Sequence, residues 1–429
     1  MTTVPCSGQR HRNWLPFIAG TLLAVASGSS AGQPTQITLQ QAIDLAMKNS
    51  PSIKASRMQI DQNKAQETTA NLRPNPVLSW DTQFLPFFSP GGFTSDNIDQ
   101  TSQFDMGIGY LFERGHKRQA RLQAARDQAS ITSATVADNE RTLTFNVAQQ
   151  FINVLLAKSN LEFAMQDLKT FGESVRINEE RFKAGGISKN DFLKIKVQLL
   201  QNETAVAAAK LAKAQALLAL RQLIGHESVP RDYDVAGDLE YQRLKSTQDD
   251  LEGMAVNERP DLRAAKFGVA AGQSQLALAK ANGKQDLNVS FNYSHVSGTS
   301  SGSFFFNIPL PVFNRNQGEI ARTRFAVSQA NFTATAAEET VRTDVRNAYE
   351  SVQDSAEIVD LYRSGYLDQS RESRDITEFS YRQGASPLLD FLDAERSYRA
   401  TQLAYRQALA TYMLALETLR QAVGERNLP

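Results

Sequence analysis

"FKAGGISKNDFLKIK", Phe182 to Lys196, interrupts two long stretches of helical composition. Two adjacent glycines inside a helix would cost about 1 kcal/mol each relative to alanine. A break fits better, with Gly185 as a left-handed C-terminal cap and Ser188 opening a returning helix. The pattern returns in "YRQGASPLLDFLDAE", Tyr381 to Glu395. There Gly384 takes the cap, and Ser386 before Pro387 fits an N-cap with proline at the first helical position. Each stretch reads as the tip of a helical hairpin.

Working outward, a very long helix is expected before each tip, from Lys117 to Lys183 and from about Glu319 to Arg382. The first would measure roughly 100 Å at 1.5 Å per residue. Val147, Val154, Leu161, Leu168, Val175 and Phe182 recur at seven-residue spacing, as do Val345, Val352, Val359 and Tyr366. A repeat of seven is the coiled-coil period, not that of a straight globular helix. The returning helix after the first tip is rich in alanine, "AVAAAKLAKAQALLAL" from Ala205 to Leu220, which allows close helix approach.

The two tips belong to a larger echo. Asp191-Phe192-Leu193 meets Asp390-Phe391-Leu392, and "LRQLIG" from Leu220 meets "LRQAVG" from Leu419, both 199 positions apart. "PSIKA" from Pro51 answers "PDLRA" from Pro260, and "FERGHKRQAR" from Phe112 answers "FNRNQGEIAR" from Phe313. A period of about 200 residues is too long for a solenoid and signals internal duplication. The expected division is 1–31 export signal, 32–225 first repeat, 226–250 linking segment, 251–424 second repeat and 425–429 tail.

In each repeat a helix precedes two short strands. In the first, Thr38 with Gln41 offers a capping box for a helix reaching about Leu72 with a break at Pro51. Strands are expected at Leu78 to Phe84, Gln103 to Phe112, Leu287 to Ser294 and Phe304 to Leu310, with turn-rich loops such as "HVSGTSSG" between. Phe104, Met106, Ile108, Tyr110 and Phe112 alternate with Gln103, Asp105 and two glycines. Alternation suits a sheet with one face on a protein core. The strands also approach the 9–11 residues of a membrane strand and carry aromatics for the interface. Four strands cannot close a barrel, but three chains would supply twelve.

The N-terminus has the order of an export signal: Arg10 and Arg12, an apolar stretch from Trp14 to Ala26, and small residues up to Ala31. Its removal takes away Cys6, the only cysteine. Charges balance at 46 against 46, which gives no reason to expect nucleic acid as a partner. No later stretch reaches the length of a transmembrane helix. His11, His116, His226 and His295 are scattered, and no phosphate loop, nucleophile elbow or metal motif occurs. Neither an enzyme nor a bound cofactor or metal is expected. Carboxylates paired along the long helices read as a solvated face.

The doubled helix–strand–strand–helix plan, "NP-x-L" at Asn75 to Leu78 and the two G-x-x-x-x-x-D tips resemble the TolC-like outer-membrane efflux proteins. The likeness runs from about Thr38 to Gly424. "RPDLRAA" from Arg259 and "LPVFNRNQGEIA" from Leu310 are most similar to the branch serving heavy-metal or cation exporters of the resistance-nodulation-division class. The resemblance implies a mainly α chain with a membrane β-barrel. Three chains would form a twelve-stranded barrel in the outer membrane of a Gram-negative bacterium, continued by a coiled-coil tunnel through the periplasm. Its partners would be outer-membrane lipid, a periplasmic adaptor at the tips and an inner-membrane pump. A drug channel of the same family, a passive porin and a periplasmic coiled-coil scaffold are the competing expectations.

By the same resemblance the adaptor groove would comprise Gly185, Gly186 and Ile187 at one tip and Gly384, Ala385 and Ser386 at the other. Asp191 and Tyr381 match the partners of a polar link that holds the resting gate shut. The arginine of a second link is missing, because Ser386 stands in its place. An acid at Asp191 also suits the first turn of a helix without any gate. Asp390 and Asp393 match acids at the narrowest point of the tunnel, whereas the first tip carries Lys194 where the second has Asp393.

Overall fold

The structure, a computed structural model, describes residues 35–88 and 90–428; the expected export segment and Cys6 lie outside them. The chain starts with β1 (Gln36–Ile37) and α1 (Leu39–Asn49). The capping box forms as expected: Thr38 Oγ1 accepts from Gln41 N at 3.3 Å, and Gln41 Oε1 accepts from Thr38 N at 2.9 Å. Ser50 is extended because the following proline ring disfavours helical backbone, and α2 (Pro51–Asn71) starts afresh. There follow β2 (Val77–Gln83), α3 (Ser95–Thr101), β3 (Gln103–Phe112), α4 (Lys117–Lys183) and α5 (Lys189–Ile224).

A short β4 (Asp234–Val235) then pairs in parallel with β1. A similar order follows, without a counterpart of α3 and with the long helix in two parts: α6 (Gln248–Glu258), α7 (Pro260–Asn282), β5 (Leu287–Val296), β6 (Thr299–Asn307), α8 (Gln317–Leu361), α9 (Leu367–Arg382) and α10 (Leu388–Val423). The segment 226–250 bridges two apolar clusters. It gives Tyr233 and Val235 to one with Val147, Val154 and Leu220, and Leu239 and Tyr241 to one with Val345, Val352 and Val359. Among the described residues no helix is long and apolar enough to cross a membrane.

Two expectations need correction. The second long helix is not continuous: a wide turn over Tyr362–Tyr366, with Gly365 at φ 126°, separates α8 from α9. The extra residue rotates the seam, so Tyr366 is exposed although Val345, Val352 and Val359 are buried. The loop expected around His295 to Gly302 is strand instead. Ser297 and Gly298 both take positive φ and make a two-residue hairpin turn, letting Val296 pair with Thr299. At its far end β6 stops at Asn307, because Pro309 and Pro311 cannot donate to a ladder.

The four long strands form one antiparallel sheet in the order β2-β3-β5-β6, leaving β2 and β6 as open edges. Register sorts its faces. Leu78 lies across from Ile108, which faces Phe291, which faces Phe304; Trp80, Met106 and Tyr293 make the next row. This apolar face is bare, with Trp80 80 % and Phe304 69 % exposed. Asp81 opposite Asp105 and Asn292 opposite Ser303 lie on the other face. A Cβ at Gly107 would stand 2.2 Å from the Asn292 side chain, which would have to turn aside.

Candidate functional site: the hairpin tips

At the first tip α4 closes on paired bonds, Gly185 N to Phe182 O at 3.0 Å and Gly186 N to Arg181 O at 2.7 Å. The second repeats them: Gly384 N to Tyr381 O at 3.0 Å and Ala385 N to Ser380 O at 2.9 Å. Both are Schellman caps, with φ 75° at Gly185 and 78° at Gly384. Gly185, Gly186, Gly384 and Ala385 are exposed, while Ile187 packs partly against the apolar tip core.

Ser188 caps α5 by accepting from Asp191 N at 3.1 Å, and its hydroxyl donates to Asp191 Oδ2 at 2.8 Å. Asp191 thus anchors the first turn, with Lys194 3.8 Å away. The second tip departs from expectation: Pro387, not Ser386, is the N-cap residue, and α10 begins at Leu388 without a side-chain cap. Proline's fixed φ suits the extended cap position, and the Ser386 hydroxyl turns to Asp390 Oδ2 at 3.3 Å.

Tyr381 is 6 % exposed, and its hydroxyl donates to Asn178 Oδ1 at 2.9 Å. Its ring stacks on Phe391 at 5.5 Å, and the Arg181 guanidinium lies 5.3 Å above it. Burial raises the pKa of its hydroxyl; Arg181 opposes that rise and the nearby Asp191 adds to it. Phe171, Ile195, Leu388 and Leu392 complete this core, which joins both hairpins. Asp390 and Asp393 instead lie exposed on one face of α10, three residues apart, beside an open groove shared with α9. Arg396 is 3.5 Å from Asp393.

Sequence reasoning missed a second seam on α4. Asp167, Phe171, Ser174, Asn178 and Arg181 follow one another at steps of four and three, the coiled-coil spacing. They meet α9 and α10 mostly through polar groups: Asp167 binds Arg399 at 3.1 Å, and Ser174 donates to Glu378 at 2.6 Å. The spacing was legible, but polar residues at such positions read as solvent-facing.

The profile described as "Outer membrane efflux protein" matches residues 42–226 and again 251–425. The chain belongs to the outer membrane efflux protein family. It is similar to the cobalt-zinc-cadmium resistance protein CzcC of Cupriavidus metallidurans, 23% identical over 90% of this chain and 90% of that one. Another relative is the pyoverdine export outer membrane protein OpmQ of Pseudomonas aeruginosa, 24% identical, with 90% of this chain and 85% of OpmQ covered. A crystal structure of CusC superimposes with a TM-score of 0.76 at 18% identity, covering 92% of this chain and 93% of CusC. This efflux protein therefore shares the fold of a known outer-membrane channel, and its family is not an enzymatic one.

Proposed function

We propose that this protein is the outer-membrane channel of a three-part efflux system, passing metal cations out of the periplasm or from an inner-membrane pump. One observation carries the reading: a sheet with a bare apolar face and two open edges is joined to about 100 Å of helix ending in exposed tips. Open edges are not tolerated in lipid, so the sheet calls for partners. Three copies give twelve strands, with the apolar face toward lipid and the Asp81–Asp105 face toward the channel. The helices call for partners too. Leu193, Val197, Leu200, Leu211 and Leu218 of α5 are exposed at four-, three-, eleven- and seven-residue steps, a coiled-coil seam uncovered within one chain. A neighbouring copy would cover it. The exposed caps would take the adaptor, and residues 32–225 and 251–424 would be internal copies hinged on 226–250.

Acids at Asp81, Asp105, Asp390 and Asp393, together with the resistance named for CzcC, support cations as cargo. The OpmQ likeness supports the alternative of a small organic molecule. A passive porin leaves the long helices and caps without a use, and a periplasmic scaffold leaves the bare apolar face unexplained. Membrane extraction tests the core of the proposal: the protein should be recovered as a trimer and only with detergent. A monodisperse monomer in plain buffer removes the barrel. Deleting the protein should lower tolerance to divalent metals; an unchanged metal tolerance with lost tolerance to organic compounds selects the alternative.

The gate is proposed at Asp191 and Tyr381. Tyr381 holds α9 to Asn178 of α4, so its loss should loosen the second hairpin. A hydrogen bond of this kind is worth about 0.5–1.5 kcal/mol. Tyr381→Phe and Asp191→Ala are each expected to raise single-channel conductance in a planar bilayer, in part rather than fully. If neither changes it, Asp191 serves as a helix cap and Tyr381 as packing only.

A further inference from the structure

The rim of the sheet farthest from the helices carries an apolar segment that the channel reading leaves unused. In the connection from β2 to β3, Phe84, Phe87 and Phe93 are more than half exposed and Phe88 is 99 % exposed. Phe87 and Phe93 meet edge-on with ring centres 5.6 Å apart, so part of this surface is one cluster. An exposed apolar patch of this kind marks a binding or membrane surface. The connection holds no lysine or arginine, and its two acids are Asp96, in the first turn of α3, and Asp99.

Three bonds place the segment. His295 Nε2 donates to Asp99 Oδ1 at 2.7 Å, Gly298 N to Asp99 O at 3.1 Å and Ser297 Oγ to Gln100 O at 3.0 Å. Side chains alternate between the two faces of a strand. His295 therefore shares the face of Phe291 and Tyr293, the bare apolar one, with Phe104 and Ser300 beside it on the ladder. The Ser300 hydroxyl, 3.0 Å from His295 Nδ1, holds the ring there. Asp99 is thus gripped from the apolar face and not from the face of Asp81 and Asp105.

We propose that this connection is an aromatic anchor: it folds outward over the rim of the barrel and sets its phenylalanines into the outer leaflet of the membrane. The proposal rests on reading the sheet as a membrane wall. The patch continues the apolar face that begins with Leu78 and Trp80 on β2. Copies joined at the β2 and β6 edges extend the sheet sideways, which leaves its outward face to lipid rather than to protein. The rings gain by leaving water, and the clasp between Asp99 and His295 keeps them off the channel mouth.

Tryptophan quenching on the full-length protein in phosphatidylcholine vesicles tests it. Trp14→Phe/Trp80→Phe/Phe88→Trp leaves a single tryptophan, at a position where open space tolerates the larger ring. Bromine on the lipid acyl chains should remove most of its emission, and iodide in the water little. A tryptophan quenched by iodide and not by brominated lipid overturns the anchor, because the segment then lies in water at the mouth. One that neither quencher reaches overturns it too, because protein then covers the segment. Phe93→Trp in the same background decides the matter if the first variant does not assemble. Adding His295→Ala should weaken the quenching by lipid; no change overturns the role given to the clasp. Trp14→Phe alone reports Trp80. If brominated lipid leaves Trp80 bright, the membrane wall itself fails; if it quenches Trp80 only, the anchor alone fails.

Discussion

Gly185→Trp is expected to abolish efflux while leaving the protein folded and assembled. The position takes φ 75°, and a Cβ built there meets nothing within 4 Å. A side chain therefore projects into open space, at a backbone penalty of about 1–2 kcal/mol in one turn of a very large structure. Folding tolerates that; an adaptor docked as proposed would not tolerate an indole at this tip. Metal tolerance of cells carrying the variant should drop to that of a deletion strain, with trimer in detergent still at wild-type amount. Gly185→Ala carries the same backbone strain without the bulk, and should keep most of the export. Full export by a well-expressed tryptophan variant shows that nothing docks at this tip.

Neutralising Asp390 and Asp393 together should weaken block of single-channel current by multivalent cations by about tenfold or more, since a charged ring attracts cations in a pore. The two acids share an exposed face of α10, and threefold symmetry would stack them as two rings of three. The first tip cannot add to the rings, because Lys194 stands at the matching position and leans toward Asp191. Cations added from the periplasmic side should block the wild type and barely affect Asp390→Asn/Asp393→Asn. A double variant blocked as strongly as the wild type places the acids outside the constriction. Arg396, 3.5 Å from Asp393, already offsets part of one charge, so Asp390→Asn should have the larger single effect.

How much of this was legible beforehand follows the range of the interactions. The capping box at Thr38, the caps at Gly185 and Gly384, the 67-residue span of α4 and the seam through Val147 and Val154 were read directly from the sequence. So was the alternation of β3. Each depends on residues within one or two turns, or on a period set by backbone geometry, and neighbouring side chains decide these. The start of β6, the N-cap at Pro387 and the wide turn at Gly365 were not legible. Strand pairing with β5 overrode loop-like composition in the first, and in the second proline's fixed φ suited the extended cap position although no side chain caps the helix. In the third, a glycine that a helix could have absorbed became its interruption.

The burial of Asp167 and Glu395 lay furthest from view. They are 228 positions apart, and either one alone reads as an acid on the wet face of a long helix. Only the packing of α4 against α10 removes water from both, and a carboxyl group cut off from water behaves according to what faces it. The sequence by itself determined where most helices and strands lie, which residues alternate along β3 and where the two helical hairpins turn, because backbone sterics and spacing act locally. Tertiary structure alone decided which polar groups lose their solvent and which apolar faces stay bare, because that depends on elements brought together from distant parts of the chain.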